Sequence, residues 1–504
     1  MGDTPEQIAE QTLACMTLEH KVGQVYMLGF EGTALTDANR SLIQRLHLGG
    51  VTLFARNVDN ARQLARLNHE LQTVADPVPL FIGVDQEGGR VIRVSDGATV
   101  FPGNMAVGAS GDAALARRIA EASAQELLAM GVNMDLGPVL DVNTNPLNPV
   151  IGVRSFGSRV DLVTRLGVET LRGTQSSGVS AVAKHFPGHG DTGVDSHHDL
   201  PVVSHPVARL ESLELQPFAA AIRAGVDGIM TAHVYVPAIE PRPDLPATLS
   251  SRVVTDLLRH QLGFGGLILT DALDMGAITR GRGAAAASVD AFEAGADLLL
   301  IAGITSEDRH QLGTGPVALL AAVRSGRISA ARLDASVRRI LATKARRGVL
   351  PGAVSGAPVP DASVLNSAEH RALALEAARR AVTLHRDEAR LLPLHPATTV
   401  MVEPNGALRE LVGQFAPLTT ESADADAIVF GAYDLAQSET QQKHLADLSA
   451  TGKPVVGVSL RGPYDAAVAT RIGTWLTVYG DRPVHLQAAA EALFGKLIPT
   501  GRVP

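Results

Sequence analysis

Cysteine is almost absent. Cys15 is the only one, so no intrachain disulfide can form and neither a disulfide scaffold nor a cysteine-rich zinc site is available. Positive charge is not in excess either: 44 Lys and Arg against 52 Asp and Glu give a formal charge of -8 and a pI near 6.1, which removes the basic surface that attracts nucleic acid or an anionic membrane. Long apolar runs are missing, since stretches such as Ala296 to Ala302 are far too short to cross a bilayer. The stretch Met1 to Leu18 carries Asp3, Glu6 and Glu10, lacks a basic leader and reads as an amphipathic helix. No signal peptide is visible, and a cytoplasmic location is expected, an exported form staying open if a leader was removed.

What is present is ample apolar content, 45% of the chain, enough for a large core and two domains. Short apolar runs alternate with amphipathic stretches. Candidate strands are Gly23 to Gly29, Gly50 to Phe54, Leu80 to Val84, Asn133 to Val139, Val179 to Lys184, Gly228 to Thr231, Leu267 to Thr270 and Asp297 to Ile301. Between them lie stretches with apolar residues near 3.6 spacing, among them Asp37 to Leu46, Asn60 to Ala75, Asp112 to Met130, Asp161 to Ser176 and Ala284 to Ala294. Eight strand-helix alternations predict a parallel (β/α)8 TIM-type barrel over residues 1–347, with helices at Glu307 to Val323 and Ser329 to Arg346 after the eighth strand. Residues 348–366 hold a Pro- and Gly-rich segment that reads as a linker. Residues 367–504 read as a smaller α/β sandwich domain with an open, mainly parallel sheet.

The densest chemistry lies in Lys184-His185-Phe186-Pro187-Gly188-His189-Gly190-Asp191-Thr192-Gly193-Val194-Asp195-Ser196-His197-His198. Its Pro, its three Gly and its Asp-Ser pair predict a long loop at a strand's C-terminal end. Each glycine can be there only for positive φ, and Asp195 only to close an Asx turn. His185 and His189 have the i, i+4 spacing of a helical metal pair, but Pro187 and Gly188 between them oppose that helix, so neither a metal nor a cofactor is expected.

This stretch resembles the signature of the β-N-acetylglucosaminidase branch of glycoside hydrolase family 3, over fifteen unbroken residues. The resemblance implies that His197 is the general acid/base and Asp195 its partner. The barrel reading asks which polar residues end the strands. They are Asp85 to Arg93 after the third, Asp141 and Asn148 to Gly157 after the fourth, Lys184 and His185 on the fifth, His233 after the sixth, and Asp271 to Met275 after the seventh. Taken singly, Asp141 can be a cap, Arg154 the partner of a surface acid, and Asp271 the N-cap of the next helix. In the family, Asp271 after Leu267 to Thr270 corresponds to the catalytic nucleophile, and Asp85, Arg93, Arg154, Lys184 and His185 correspond to sugar-binding residues. Ala272 departs from the second Asp or the Trp that many relatives carry there. The second domain looks shorter than is usual in the family.

The chemistry this implies is retaining hydrolysis that releases terminal N-acetylglucosamine from peptidoglycan-derived or chitin-type oligosaccharides, by a monomer or homodimer. Three other readings stay open: a phosphorylase of the same branch, because a neutral histidine repels phosphate less than a carboxylate would; a family-3 β-glucosidase; and a non-catalytic sugar-binding barrel.

Overall fold

The computed structural model describes residues 3–351, 361–404 and 406–504. Eight short parallel strands form one sheet: β1 (Tyr26–Gly29), β2 (Gly50–Leu53), β3 (Phe81–Val84), β4 (Met134–Asp135), β5 (Ser180–Phe186), β6 (Gly228–Thr231), β7 (Leu267–Thr270) and β8 (Leu299–Ile301). They run in the order β7-β6-β5-β4-β3-β2-β1-β8. The seam between β7 and β8 is drawn together by a parallel bridge between Leu269 and Leu298, with the Thr270 N–H donating to the Leu298 carbonyl at 3.0 Å. The sheet is thus a nearly closed barrel. Apart from Asp135 at the end of β4, these strands are buried along their whole length, as strands covered on both faces must be. Interior space is filled tightly: a β-carbon on Gly83 would meet Cε of Met27 at 2.3 Å.

The helices begin where side-chain caps allow. Thr36, Asn60, Asp112 and Ser329 each accept a first-turn N–H, opening the helices Asp37–Leu46, Ala61–Val74, Ala113–Ala129 and Ala330–Arg346. Several expectations need correction. The single helix expected over Glu307 to Val323 is two, Ser306–His310 and Thr314–Arg324, parted at Gln311 to Gly313. The first strand begins at Tyr26, because Leu18–Gln24 is helical behind a Thr17 cap. The fourth strand shrinks to two residues. Lys184, His185 and Phe186 belong to β5, and only the residues after them form the loop.

Residues 352–360, most of the expected linker, lie outside the described residues. After them, β9 (Thr383–Asp387), β10 (Val400–Glu403), β11 (Leu418–Thr419), β12 (Ala427–Ala432), β13 (Val455–Ser459) and β14 (Thr474–Thr477) form a second sheet, ordered β11-β10-β12-β13-β14-β9. All pairs are parallel except β14 with β9, so the sheet is open and mainly parallel with an antiparallel edge. Alternate residues serve its two faces: Val400, Val402 and Val429 pack with Leu486 and Leu493, while Met401, Ile428 and Phe430 pack with Leu445 and Leu448.

The two units share a seam. Leu373, Ala374 and Ala377 of the helix Ala368–Ala381 join Phe101, Val107, Phe156 and Leu166 of the barrel side in one apolar cluster. Nδ2 of Asn143, in the loop after β4, donates to the Tyr464 hydroxyl at 2.9 Å.

Candidate active site

Charged side chains converge at the C-terminal ends of β3, β4 and β5. Lys184 Nζ lies 2.6 Å from Oδ1 of Asp85 and 2.8 Å from Oε1 of Glu87. Arg154 donates to Glu87 twice, from Nη2 at 2.8 Å and from Nε at 2.9 Å, a fork-to-fork pair. Arg93 Nη2 reaches Oδ2 of Asp85 at 3.0 Å. That return is folded by Gln86, whose side-chain oxygen accepts from the Arg93 and Val94 N–H groups at 2.9 and 3.1 Å. Lys184 and His185 are adjacent, so strict alternation would send them to opposite faces. The β5–β6 register shifts between Ala183 and Phe186, and both side chains reach the mouth.

Burial alone would raise the Asp85 and Glu87 carboxyls. The Lys184 and Arg93 charges hold Asp85 well below the usual carboxylate range, and Arg154 with Lys184 brings Glu87 down to about 2. Reciprocally, these carboxylates outweigh the burial of Lys184 and Arg154 and keep both cationic. Asp135 has no such cation to itself. Burial pushes its carboxyl up to about 7, so near neutral pH Lys184 faces two ionised carboxylates and a third that is only partly ionised.

A second layer aims the histidines. Asp141 is not a helix cap. Its carboxylate accepts from Nδ1 of His185 at 2.7 Å and from the His189 N–H at 2.6 Å, both buried. The Nε2 of His185 is then left to accept from Arg154 Nη2 at 3.4 Å. His189 faces away from this layer. The Thr192 hydroxyl donates to the His189 carbonyl at 3.0 Å, so the Nδ1–H of His189 donates to Thr192 Oγ1 at 2.7 Å. Its Nε2 accepts from the Ser196 hydroxyl at 3.1 Å. Burial lowers His189 to about 4 and keeps it neutral. All four nitrogens of the two rings are engaged, which leaves them no lone pair for a metal. Of the three loop glycines, only Gly188 has positive φ, at 130°. Gly190 is needed for space, since a β-carbon there would lie 2.0 Å from the Val142 carbonyl oxygen.

The loop then presents His197, whose side chain is 53% exposed. Oδ1 of Asp195 accepts from its ring Nδ1 at 2.7 Å and from its backbone N–H at 2.9 Å, which leaves Nε2 free. Burial raises Asp195, but those bonds outweigh it and hold the carboxyl below its usual range. Asp271 follows β7 directly, and its backbone N–H donates to the Thr231 carbonyl at 3.2 Å. Burial would raise its carboxyl as well. The imidazoles of His233 and His185 and the Ala272 N–H, which donates to Oδ1 at 2.7 Å, bring it below the usual range, so it is ionised at neutral pH. Buried His233 donates from Nε2 to the Ala272 carbonyl at 2.9 Å and so fixes the turn that carries Asp271. Asp274 ties that turn to β8 by accepting from the N–H groups of Ala302, Gly303 and Ile304.

A cavity of about 350 Å³ opens at this end of the barrel. Asp85, Arg93, Arg154, Lys184, His185, His197 and Asp271 all line it. Asp195 does not; it reaches the cavity through His197. Reading the sequence residue by residue missed Glu87, which links Lys184 to Arg154, and Arg56 with Phe54. The Phe54 ring carries the Arg56 guanidinium 4.5 Å from its centroid and that of Arg93 at 5.9 Å. Glu87 sits two residues after Asp85, with the strand's period, and that was the available signal. Met230, Met275, Leu300 and Ile304 give the cavity an apolar wall.

An ionised carboxylate and a free imidazole nitrogen in one cavity, above a network that offers both donors and acceptors to hydroxyl groups, is the equipment of a glycoside hydrolase. Residues 17–343 match the glycosyl hydrolase family 3 N-terminal domain. The chain belongs to that family. It is 38% identical over 390 residues to beta-hexosaminidase A of Pseudoalteromonas piscicida, covering 73% of this chain and 64% of that one, so it spans less than two thirds of that relative's length. It is 30% identical over 548 residues to the beta-N-acetylglucosaminidase/beta-glucosidase of Cellulomonas fimi, covering 98% and 94%. Among solved structures, a family 3 β-N-acetylglucosaminidase from Paenibacillus sp. str. FPU-7 superposes with a TM-score of 0.90 at 41% identity, over 97% of this chain and 99% of that one.

Proposed function

We propose that the protein is a retaining, exo-acting β-N-acetylglucosaminidase that removes terminal N-acetylglucosamine from peptidoglycan-derived or chitin-type oligosaccharides. The observation that carries this reading is His197, bonded to Asp195 and lining the same cavity as ionised Asp271: the partner of the nucleophile is a histidine where most glycosidases use a second carboxylic acid. The names of the relatives favour the N-acetyl sugar. In the first step Asp271 attacks the anomeric carbon and the glycosidic C–O bond breaks, while His197 gives its Nε2 proton to the leaving oxygen. In the second, His197 takes a proton from water, which attacks the same carbon and frees Asp271. Asp195 orients the ring and stabilises the imidazolium. Lys184, Arg93, Arg154, His185 and Asp85 hold the sugar hydroxyls through charge-assisted bonds.

The test pairs aryl β-N-acetylglucosaminide with aryl β-glucoside, with and without phosphate, and follows the anomer first released by NMR. Preference for the N-acetyl substrate, no acceleration by phosphate and a β-product are expected. Equal turnover of both sugars removes the N-acetyl assignment, a sugar 1-phosphate product makes the protein a phosphorylase, and an α-product excludes the covalent intermediate. Asp271→Ala should abolish activity on every substrate. His197→Ala should lose roughly 10²- to 10⁴-fold on substrates with basic leaving groups and much less in glycosyl-enzyme formation from a dinitrophenyl glycoside, with azide restoring turnover.

A further inference from the structure

The loop that carries His197 is exposed, yet its backbone is seated. The Gly276 N–H donates to the His197 carbonyl and the Ala277 N–H to the Ser196 carbonyl, both at 3.2 Å. These two donors open the short helix Gly276–Thr279, a few residues after Asp271 on the same turn. From the other side, Ser196 is held by its hydroxyl bond to Nε2 of buried His189. The Asp195–Ser196–His197 unit is therefore fixed between a rigid histidine and the nucleophile's own segment.

The seat has no slack at Gly276. A β-carbon there would lie 2.5 Å from the His197 carbonyl oxygen, 3.0 Å from that of His198 and 3.2 Å from the His197 carbonyl carbon. All three are backbone atoms, which cannot swing aside as a side-chain tip can. Gly281, five residues on, is open: a β-carbon there meets nothing within 4 Å.

We infer that Gly276 is a positioning residue for the acid/base: the absence of a side chain lets the turn after Asp271 receive the His197 backbone directly and sets the placement of the imidazole relative to the nucleophile. The inference rests on the acid/base reading of His197. It has a consequence that general destabilisation lacks. A methyl group at 276 displaces the proton donor and leaves Asp271 in place, held by His233 through Ala272 and by Asp274 through the β8 loop. A misplacement of about 1 Å can cost about 10²-fold in a step that needs the displaced group, and nothing in a step that does not.

The experiment compares Gly276→Ala, Gly281→Ala and His197→Ala on a dinitrophenyl and a poorly departing alkyl β-N-acetylglucosaminide, after titrating Asp271 with a mechanism-based fluorinated glycoside to count competent sites. Gly276→Ala should label fully, lose about 10²-fold on the alkyl glycoside, form glycosyl-enzyme from the dinitrophenyl glycoside within a few-fold of wild type, and be accelerated by azide; Gly281→Ala should match wild type. Equal losses of Gly276→Ala on both leaving groups, or none on either, overturn the inference. If His197→Ala itself shows no leaving-group dependence, the acid/base assignment fails, whatever Gly276→Ala does. Amide exchange in the wild-type protein tests the seat without any variant. Protected Gly276 and Ala277 amides support it, and exchange at the rate of an open loop overturns it.

Discussion

His189 lies at the edge of the cavity, yet both of its ring nitrogens are bonded within the protein. Its spacing from His185 suggests a metal pair, but its ring is spent on Thr192 and Ser196, and it serves as a neutral prop under the loop that carries His197. Burial has pushed it to about 4, against about 6.5 when unfolded. The sign follows. Below about 6.5 the unfolded chain takes up a proton that the folded ring refuses, so the contribution is fully present above that pH and is lost as pH falls toward 4. Wild type should therefore lose up to about 3 kcal/mol over that window relative to His189→Gln, which does not titrate. Urea unfolding at several pH values reads the difference directly, and a gap that stays constant with pH would show that His189 is protonated in the folded state or is not strained by burial. The same residue limits what sequence can reveal. The chemistry-bearing residue types of the loop were visible, and the pairing of Asp195 with His197 came from the family resemblance, the residues alone offering an Asx turn. Which partner each histidine ring would take, Asp141 for His185 and Thr192 with Ser196 for His189, depends on contacts that only the fold supplies.

At the scale of elements, the barrel was legible where strands and helices differ in period. Helices such as Asp37–Leu46, capped by Thr36, and Ala284–Ala294 fall where their apolar spacing puts them. Legibility failed where burial is complete or interrupted. Asn104–Ser110 is a helix with every residue but Ser110 buried, so it has no polar face to mark a period. The helix expected over Glu307 to Val323 breaks at Gln311 to Gly313, where Leu312 is buried in the core and Gly313 lowers the helix propensity. The helix Ala330–Arg346 carries a further feature that patterning hides. Lys344 is fully buried, its Nζ donating to the Pro79 carbonyl at 2.6 Å and to Oε1 of Gln24 at 2.9 Å, above the Phe81 ring. Burial without an acid lowers its pKa far below the usual lysine value. The unfolded chain then binds a proton that the folded chain does not, so wild type should gain stability as pH rises toward 10, by up to about 1.4 kcal/mol per pH unit, relative to Lys344→Met. Chemical denaturation at pH 7 and 9 tests this. A gap that does not widen in favour of wild type would mean that the amine keeps its charge inside the protein.

For the molecule as a whole, the question is whether barrel and second unit unfold together. Their seam has an apolar part, where Leu373, Ala374 and Ala377 sit among barrel-side residues, and a polar node at Glu126. Glu126 is buried on the helix Ala113–Ala129, and its carboxylate accepts four bonds: from Thr99 N at 2.7 Å, Thr99 Oγ1 at 2.6 Å, Asn366 N at 3.1 Å and His370 Nδ1 at 2.7 Å. Two of those donors lie on the barrel side and two on the approach to the second sheet. Glu126→Ala would strand all four, at a cost of about 3 kcal/mol, because buried donors without acceptors lose their full desolvation energy and a buried pair is broken. The apolar seam would remain, and interfaces built as a continuous core keep two units in one cooperative transition where a polar, hydrated contact would not. Calorimetry should therefore show a single transition for both proteins, with a lower midpoint in Glu126→Ala. An unchanged midpoint would mean that the four bonds are worth no more than their replacements by water. Two resolved transitions in the variant would show that Glu126, and not the packing of Leu373 against Phe101 and Phe156, couples the second unit to the barrel.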